Sequence, residues 1–412
     1  MYKILTAFLL SFFLISCKNN FPESSGLFIH DKAEWTYALY MAADNNLERF
    51  ALKNIREIKE NLGDKKINFI VLLDRTNGYD KTEGNWTDTK ILELHADTEI
   101  NNDVVIELGE KDTSDISTLS EFLELATTYY PSNNFALNVW SHGFGVYPDC
   151  KIYNGARSLM QDYTTGYSDD CSFSIIAFAN AIKKFNEIQN KKINILQFDC
   201  CLMQMIEILW QLKDCADFII GSEAELPGTG SNYATLYKNL TSNSTVKNCA
   251  YAIIKDFEEK YKNTVVSCTY SVADMDKFRT FADLFQNFLD EIFNSTSIDF
   301  ALIKNDRKNV YNYDSHFIEY VDLKSFFSIF RKHISDHPYT EEIFSQLIQK
   351  YDEFIFASCI TNSYSEKASG VGINIPHTEK QYSYYNQNAD DYLDIYKDTA
   401  LGSIIEKIVL AG

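Results

Sequence analysis

The sequence has no Cys-x-x-Cys pair, no Cys/His ladder of zinc spacing, no EF-hand loop, no internal repeat and no low-complexity linker. These absences exclude a zinc-stapled fold, an EF-hand calcium site and a repeat architecture. Basic residues are in short supply: 38 Lys and Arg stand against 58 Asp and Glu, for a formal net charge of -20. That balance keeps a protein soluble, argues against a nucleic-acid groove and favours cationic partners, without indicating any chemistry. The apolar run Ile4 to Ile15 is too short for a committed transmembrane span. What is present is a chain of 412 residues, 45% hydrophobic, which is not disordered and can bury a large core in one big domain or two ordinary ones.

The start of the chain has the layout of an export signal. Lys3 precedes an apolar stretch of signal-peptide length, and Leu14-Ile15-Ser16-Cys17 reads as a bacterial lipobox. In that reading residues 1–17 are a lipoprotein signal peptide whose Cys17 is lipidated and kept as the new N-terminus, residues 18–33 are a tether, and the fold starts near Glu34. The protein is then extracytoplasmic, held to a bacterial membrane through its N-terminal lipid. The alternative is a plain signal peptide that contains a cysteine. Eight cysteines remain: Cys150, Cys171, Cys200, Cys201, Cys215, Cys249, Cys268 and Cys359. Outside the cytoplasm disulfides are permitted, but their pairing, Cys200–Cys201 included, cannot be read from the sequence.

Short β-rich runs alternate with helical patterns. Strands are expected at 35–43, 66–75, 134–140, 192–199 and 217–222, with helices at 46–62, 115–129, 172–189 and 202–213. Residues 80–97 read as a turn with an edge strand or hairpin, and 144–171 as a long polar loop. Further on come a helix at 246–261, a strand at 265–274, helices near 276–293 and 339–355, a strand at 370–376 and a terminal helix after Asp391. Such alternation implies an α/β fold with a mainly parallel sheet covered on both faces, its sites gathering at the carboxyl ends of the strands.

Two strand ends carry reactive side chains. His142 follows the strand 134–140 in "NVWSHGFG", beside Gly143 and Gly145, whose backbone can approach a ligand closely. "ILQFDCC" closes the strand 192–199, and alternation places Gln197, Asp199 and Cys201 on one side, Phe198 and Cys200 on the other. Cys200 is then the packing residue and Cys201 the one facing the cleft. With a helix expected from 202, Cys201 falls at its first turn, where the dipole lowers a thiol's pKa. A Cys paired with a His can attack an acyl carbon, though each residue type at a strand end also has an ordinary structural role.

"YMAADNNLE" (40–48), "NVWSHGFG" (138–145), "FDCCLMQMIEILWQLKDCADFIIGSEAELPGTG" (198–230) and "SGVGINIP" (369–376) resemble the clostripain family of cysteine peptidases, in the caspase-like clan. The resemblance spans nearly everything after the tether and makes residues 34–412 a clostripain-like peptidase domain. It implies a caspase-like αβα sandwich with helical C-terminal elaborations, and cleavage after Arg or Lys through a thioester acyl-enzyme.

By the same resemblance His142 and Cys201 form the catalytic dyad, with Gly143 and Cys201 giving the oxyanion-hole N–H groups. The family's middle Ala of Asp-Ala-Cys is here Cys200. Asp199 is the candidate acid for pairing with a basic P1 side chain, the other reading being a helix N-cap. Ser231 stands where relatives usually carry an aromatic, Asp44 reads as a support of the strand-end loops and Glu207 as a hydrogen-bonded helix residue. Relatives are often cut between His and Cys, where Arg157 and, second, Lys151 are candidate autoprocessing sites. The chemistry needs no cofactor. Ca2+ aids some relatives, but Asp169 and Asp170 are too little to assign a site. Implied partners are peptides or proteins with basic P1 residues. Two other functions share the scaffold: an inactive surface lipoprotein serving as a binding module, against which the intact His142, Gly143, Asp199 and Cys201 set argues, and a transpeptidase.

Overall fold

The β-branched and aromatic runs form strands, and the amphipathic segments between them fold back as helices over both sheet faces. The computed structural model describes residues 27–64, 67–146, 159–160, 162–165, 174–242, 245–312, 318–333, 338–385 and 393–412. Within them lie strands β1 (Ala33–Ala43), β2 (Ile67–Arg75), β3 (Thr89–Glu93), β4 (Val104–Gly109), β5 (Ser132–Trp140) and β6 (Ile193–Asp199). They are followed by β7 (Ala216–Gly221), β8 (Thr269–Asp274), β9 (Tyr320–Asp322), β10 (Ile355–Ile360) and β11 (Gly372–Asn374).

Nine of these make one sheet in the order β10-β8-β7-β6-β5-β1-β2-β3-β4, while β9 and β11 pair separately. The centre, β7-β6-β5-β1-β2, is parallel. Antiparallel pairs extend it at both edges, β8 and β10 on one side and β3 and β4 on the other.

Alternation along β1 divides two cores. Ala38, Tyr40 and Ala42 face one, and Tyr37, Leu39, Met41 and Ala43 the other. The first core is roofed by helices Ile116–Tyr129, Ile175–Gln189 and Ile206–Gln211, together with the C-terminal helices Met275–Asn294, Leu323–His333, Pro338–Phe354 and Leu401–Leu410. Glu48–Lys59, Leu236–Ser242 and Val246–Tyr261 roof the second. The architecture is thus the expected αβα sandwich with helical elaborations toward the C-terminus.

Three local expectations change. β4 lies outside β3 at the sheet edge, where only a hairpin in 80–97 is expected. β10 begins at Ile355, where the apolar pattern reads as the end of a helix; its side chains alternate buried and half-buried, as an edge strand's do. The expected helix 202–213 shrinks to Ile206–Gln211. The reason is local: Leu202 adopts φ 63°, its N–H donates to Ala224 O and that of Gln204 to Ser222 O, so residues 202–205 are tied laterally to the chain after β7. Of the expected tether, residues 27–33 lie against the fold, with the His30 N–H donating to Tyr129 O and its ring stacked on Tyr130.

Candidate active site at the strand ends

β5 and β6 pair in register with Trp140 opposite Asp199, so His142 and Cys201 each stand two residues beyond adjacent strand ends. The chains stay in contact past the sheet. A Cβ built on Gly143 would lie 2.8 Å from the Cβ of Cys200 and 3.0 Å from the amide nitrogen of Cys201. Only a residue without a side chain lets the His142 loop approach that backbone so closely. Gly145, at φ 67°, is similarly enclosed by Met205 and Tyr320, and the Tyr320 hydroxyl donates to Phe144 O at 3.0 Å.

His142 is half-buried, and its Nε2 lies 2.7 Å from Asn46 Oδ1. An amide oxygen only accepts, so Nε2 carries the hydrogen and a neutral ring keeps its lone pair on Nδ1. Tyr163 donates to the same oxygen at 3.4 Å. Ser141 secures the start of the loop, donating to Ala42 O at 2.9 Å beyond the neighbouring strand β1.

Cys201 is half-buried, and its Sγ accepts the Leu226 N–H at 3.2 Å. Cys200 points away: it is buried in the first core, its thiol donates to Val139 O at 3.3 Å, and burial pushes its pKa well above the ordinary range, with the Asp199 charge adding to the effect. Both are free thiols. Because the helix starts at Ile206, the expected placement of Cys201 in its first turn does not hold, and the dipole argument for its thiol lapses with it.

Asp199 caps no helix either, since Met205 occupies the cap position. Its carboxylate is buried on the side of the second core, where Oδ2 accepts the Ser231 N–H at 3.0 Å and the Tyr233 hydroxyl at 2.6 Å. Burial raises its pKa, opposed by those two hydrogen bonds and by the charge of Lys260. Gly230, at φ 52°, lies directly against this carboxylate. Lys260 braces the same loop, donating to Thr229 O at 2.8 Å and Ser231 O at 2.7 Å. Ser231 thus meets Asp199 through its backbone, whatever side chain it carries.

Glu207 is buried in the first turn of its helix and accepts the Asn374 N–H at 2.8 Å; burial pushes its pKa up to about 7. Asp44 holds the strand-end loops, accepting Tyr163 N–H on its carbonyl at 2.9 Å and Thr164 N–H on Oδ2 at 2.8 Å. Cys17, Lys151, Arg157, Asp169 and Asp170 lie outside the described residues.

Two features are not signalled in the sequence reading. One is Asn46, which meets His142 only through the fold. The other is a group of carboxylates beneath it, Asp44, Asp74, Glu110 and Asp162, each offering one oxygen within 4.8 Å of the others. Burial, then the neighbouring charges of Asp162 and Asp44, push the Asp74 carboxyl well up; Glu110 reaches about 7 for related reasons.

The clostripain-family sequence profile matches residues 39–407, almost the whole described fold. The chain belongs to the clostripain family. Several solved C11 structures share the fold of this clostripain-family chain. An inactive zymogen C11 protease from Parabacteroides distasonis superposes with a TM-score of 0.67 at 20% identity, covering 90% of this chain and 99% of its own. A secreted C11 cysteine protease from Bacteroides thetaiotaomicron, solved with an irreversible peptide inhibitor, gives 0.64 at 20% identity, covering 91% and 99%. Another from that organism, iotapain, gives 0.66 at 16% identity, covering 91% and 100%. At such identities the likeness is one of fold, the caspase-like αβα sandwich. No curated protein matches the chain.

Proposed function

We propose that the protein is a cysteine endopeptidase that cleaves after Arg or Lys, using Cys201 as nucleophile and His142 as proton carrier. The observation that carries this reading is the packing of Gly143 against the Cys201 backbone beyond the paired ends of β5 and β6. Cys201 Sγ, its proton passed to the lone pair of His142 Nδ1, attacks the scissile carbonyl carbon, and the oxyanion takes the N–H groups of Gly143 and Cys201. Collapse expels the amine, which receives that proton from His142 Nδ1, the ring nitrogen not facing Asn46. Water, deprotonated by the same imidazole, then hydrolyses the thioester.

Asp199 supplies the negative charge for a basic P1 side chain. Both of its hydrogen bonds among the described residues fall on Oδ2, so Oδ1 is the oxygen offered to a guanidinium or ammonium. The sequence supports the remainder of the reading: anchoring through a lipid on Cys17, an extracytoplasmic location, and processing at Arg157 or Lys151. Among the described residues no helix is long and apolar enough to cross a membrane.

The test is turnover of fluorogenic peptides with Arg, Lys, Asn or Asp at P1 under reducing conditions. Arg and Lys peptides are cleaved, Cys201→Ala abolishes cleavage and Cys200→Ala retains it. Loss of turnover in folded Cys200→Ala with activity in Cys201→Ala refutes the nucleophile. A folded wild-type protein inert toward all four peptides favours the binding-module reading, and ligation to an added amine in place of hydrolysis favours a transpeptidase.

A further inference from the structure

The five parallel strands β7-β6-β5-β1-β2 all start at one edge of the sheet and end at the other, so His142 and Cys201 lie at the pole opposite to the one where the chain enters β1. The entry pole presents large apolar side chains to solvent. Phe28 and Ile29 are each 67% exposed, yet the segment that carries them is fastened down. The Phe28 ring stacks on His30 with centroids 4.4 Å apart, and His30 stacks in turn on the buried Tyr130 at 4.6 Å. The N–H groups of His30 and Ala33 donate to Tyr129 O at 2.8 Å and Pro131 O at 2.9 Å. A cleft lined by Phe28, Ile29, His30 and Asn68 separates the segment from the start of β2, so that strand does not shield it. Ile188, 71% exposed, stands at the same pole in the last turn of the helix Ile175–Gln189, whose Gln189 reaches Thr127 in the helix that ends at Tyr129. Lys32, Lys191 and Lys192 occupy the approaches to β1 and β6. Asp31, Glu34 and Asp217 stand among them, and Glu93 pairs with His30 at 3.4 Å. Bases therefore offset acids here, in a chain whose net charge is -20.

We propose that this pole rests on the bilayer, with Phe28 and Ile29 inserted at the level of the lipid headgroups. Apolar side chains flanked by lysines suit that boundary, where the ring and the branched chain leave water and the ammonium groups meet phosphate. The choice of a lipid surface over a protein partner comes from the chain itself, and it rests on the lipid reading of Cys17 given above. Ten residue steps separate Cys17 from Leu27, and covalent geometry limits their reach to about 35 Å. The bilayer is then a neighbour at high effective concentration, so even the weak affinity of two apolar side chains keeps the contact populated.

The contact sets the direction in which the candidate site faces. β1 carries the chain through 11 residues from this pole to the strand ends, roughly 35 Å at about 3.3 Å per residue. Cys201 and His142 thus open toward the aqueous side. The polypeptides within their reach are soluble chains, or segments of anchored proteins that stand roughly 35 Å clear of the membrane, and not stretches lying at its surface.

The experiment reconstitutes the full chain, produced in a bacterium that processes lipoproteins, into vesicles of phosphatidylcholine and phosphatidylglycerol with or without brominated acyl chains. Tryptophan emission is read from Phe28→Trp and, as the control at the opposite pole, from Tyr79→Trp, which lies beyond β2 and is 48% exposed. The wild-type signal of Trp35, Trp86, Trp140 and Trp210 is subtracted. Emission from position 28 shifts to the blue and falls at least about 2-fold with brominated chains, as a ring about 5–10 Å into the headgroup and acyl boundary does, while position 79 is unaffected. A chain that sediments with the vesicles but is unquenched at position 28 overturns the docking surface and leaves the lipid reading of Cys17 standing. A chain that stays in the supernatant overturns both. A blue shift without quenching means that a second copy or another protein covers Phe28, and quenching at position 79 in its place means that the molecule stands the other way up; either overturns the proposal. None of these readouts depends on peptide cleavage.

Discussion

Substituting Gly143 by alanine tests the geometry on which the catalytic reading depends. The added methyl would sit 2.8 Å from Cys200 Cβ and 3.0 Å from the Cys201 nitrogen, and closer still to the Cys201 carbonyl oxygen. Carbon atoms rest at about 3.5–4.0 Å, so the two loops must separate by roughly 1 Å. Neither side yields easily. The Cys200 side chain is locked into the core by its bond to Val139 O, and the His142 loop is tied to Asn46 and, through Ser141, to Ala42. A displacement of that size between reacting groups costs about 100-fold in rate, or ~2.7 kcal/mol of barrier. Overpacking of this kind also lowers stability by about 1–3 kcal/mol. The assay is kcat/KM on an Arg-P1 peptide with the Tm measured in parallel. Gly402→Ala serves as control, because a methyl there meets nothing nearer than 3.8 Å. A Gly143→Ala protein with kcat/KM within about 3-fold of wild type would refute the argument, since it would mean that the loops are not in obligatory contact.

Other residues give independent readouts. Asp199→Asn keeps an acceptor for Ser231 and Tyr233 but removes the charge; kcat/KM for Arg and Lys peptides falls by about 30-fold or more, in line with a lost buried charge pair, with little change in Tm. An unchanged basic preference would eliminate the pocket role. Asn46→Ala removes the contact to His142 Nε2, lowering kcat more than it changes KM and shifting the acid limb of the pH profile, while Asn46→Asp, which retains an acceptor, recovers part of the rate. Equal rates in both variants and wild type would exclude a positioning role. Glu207 has a folded-state pKa of about 7 against an ordinary 4.5, so the native state binds the extra proton and this group's contribution to stability falls as pH rises from about 4.5 to about 7. Glu207→Gln is therefore more stable than wild type at pH 8, by up to about 3 kcal/mol, with the advantage gone near pH 4.5; a Tm difference independent of pH contradicts this.

The parallel core was readable because each of its strands is buried on both faces and therefore appears as an unbroken apolar run, as in "WTYALYMAA" and "KINFIVLLDR". The strand-end positions of His142 and Cys201 followed from those runs. β4 and β10 leave little trace in the sequence because edge strands are short and half-exposed, and β10 continues the apolar pattern of the preceding helix without a break. The segment "CLMQMIEILW" reads as helix from Leu202 because its apolar residues are dense, but periodicity cannot register that its first N–H groups are taken by Ser222 and Ala224. The same limit hides Asn46 and the carboxylate group. Asp44, Asp74, Glu110 and Asp162 are unremarkable singly, and only the strand order β5-β1-β2-β3-β4 brings them together.

The opposed directions of the two adjacent cysteines bear on oxidative damage. A sulfenic acid formed on Cys201 is commonly rescued when a nearby thiol condenses with it, but the sulfur next in sequence is sealed on the other side of the strand end, protonated and engaged with Val139. Peroxide treatment should therefore carry position 201 onward to sulfinic acid instead of closing a ring with Cys200, and a low-molecular-weight thiol from outside would be needed to intercept it.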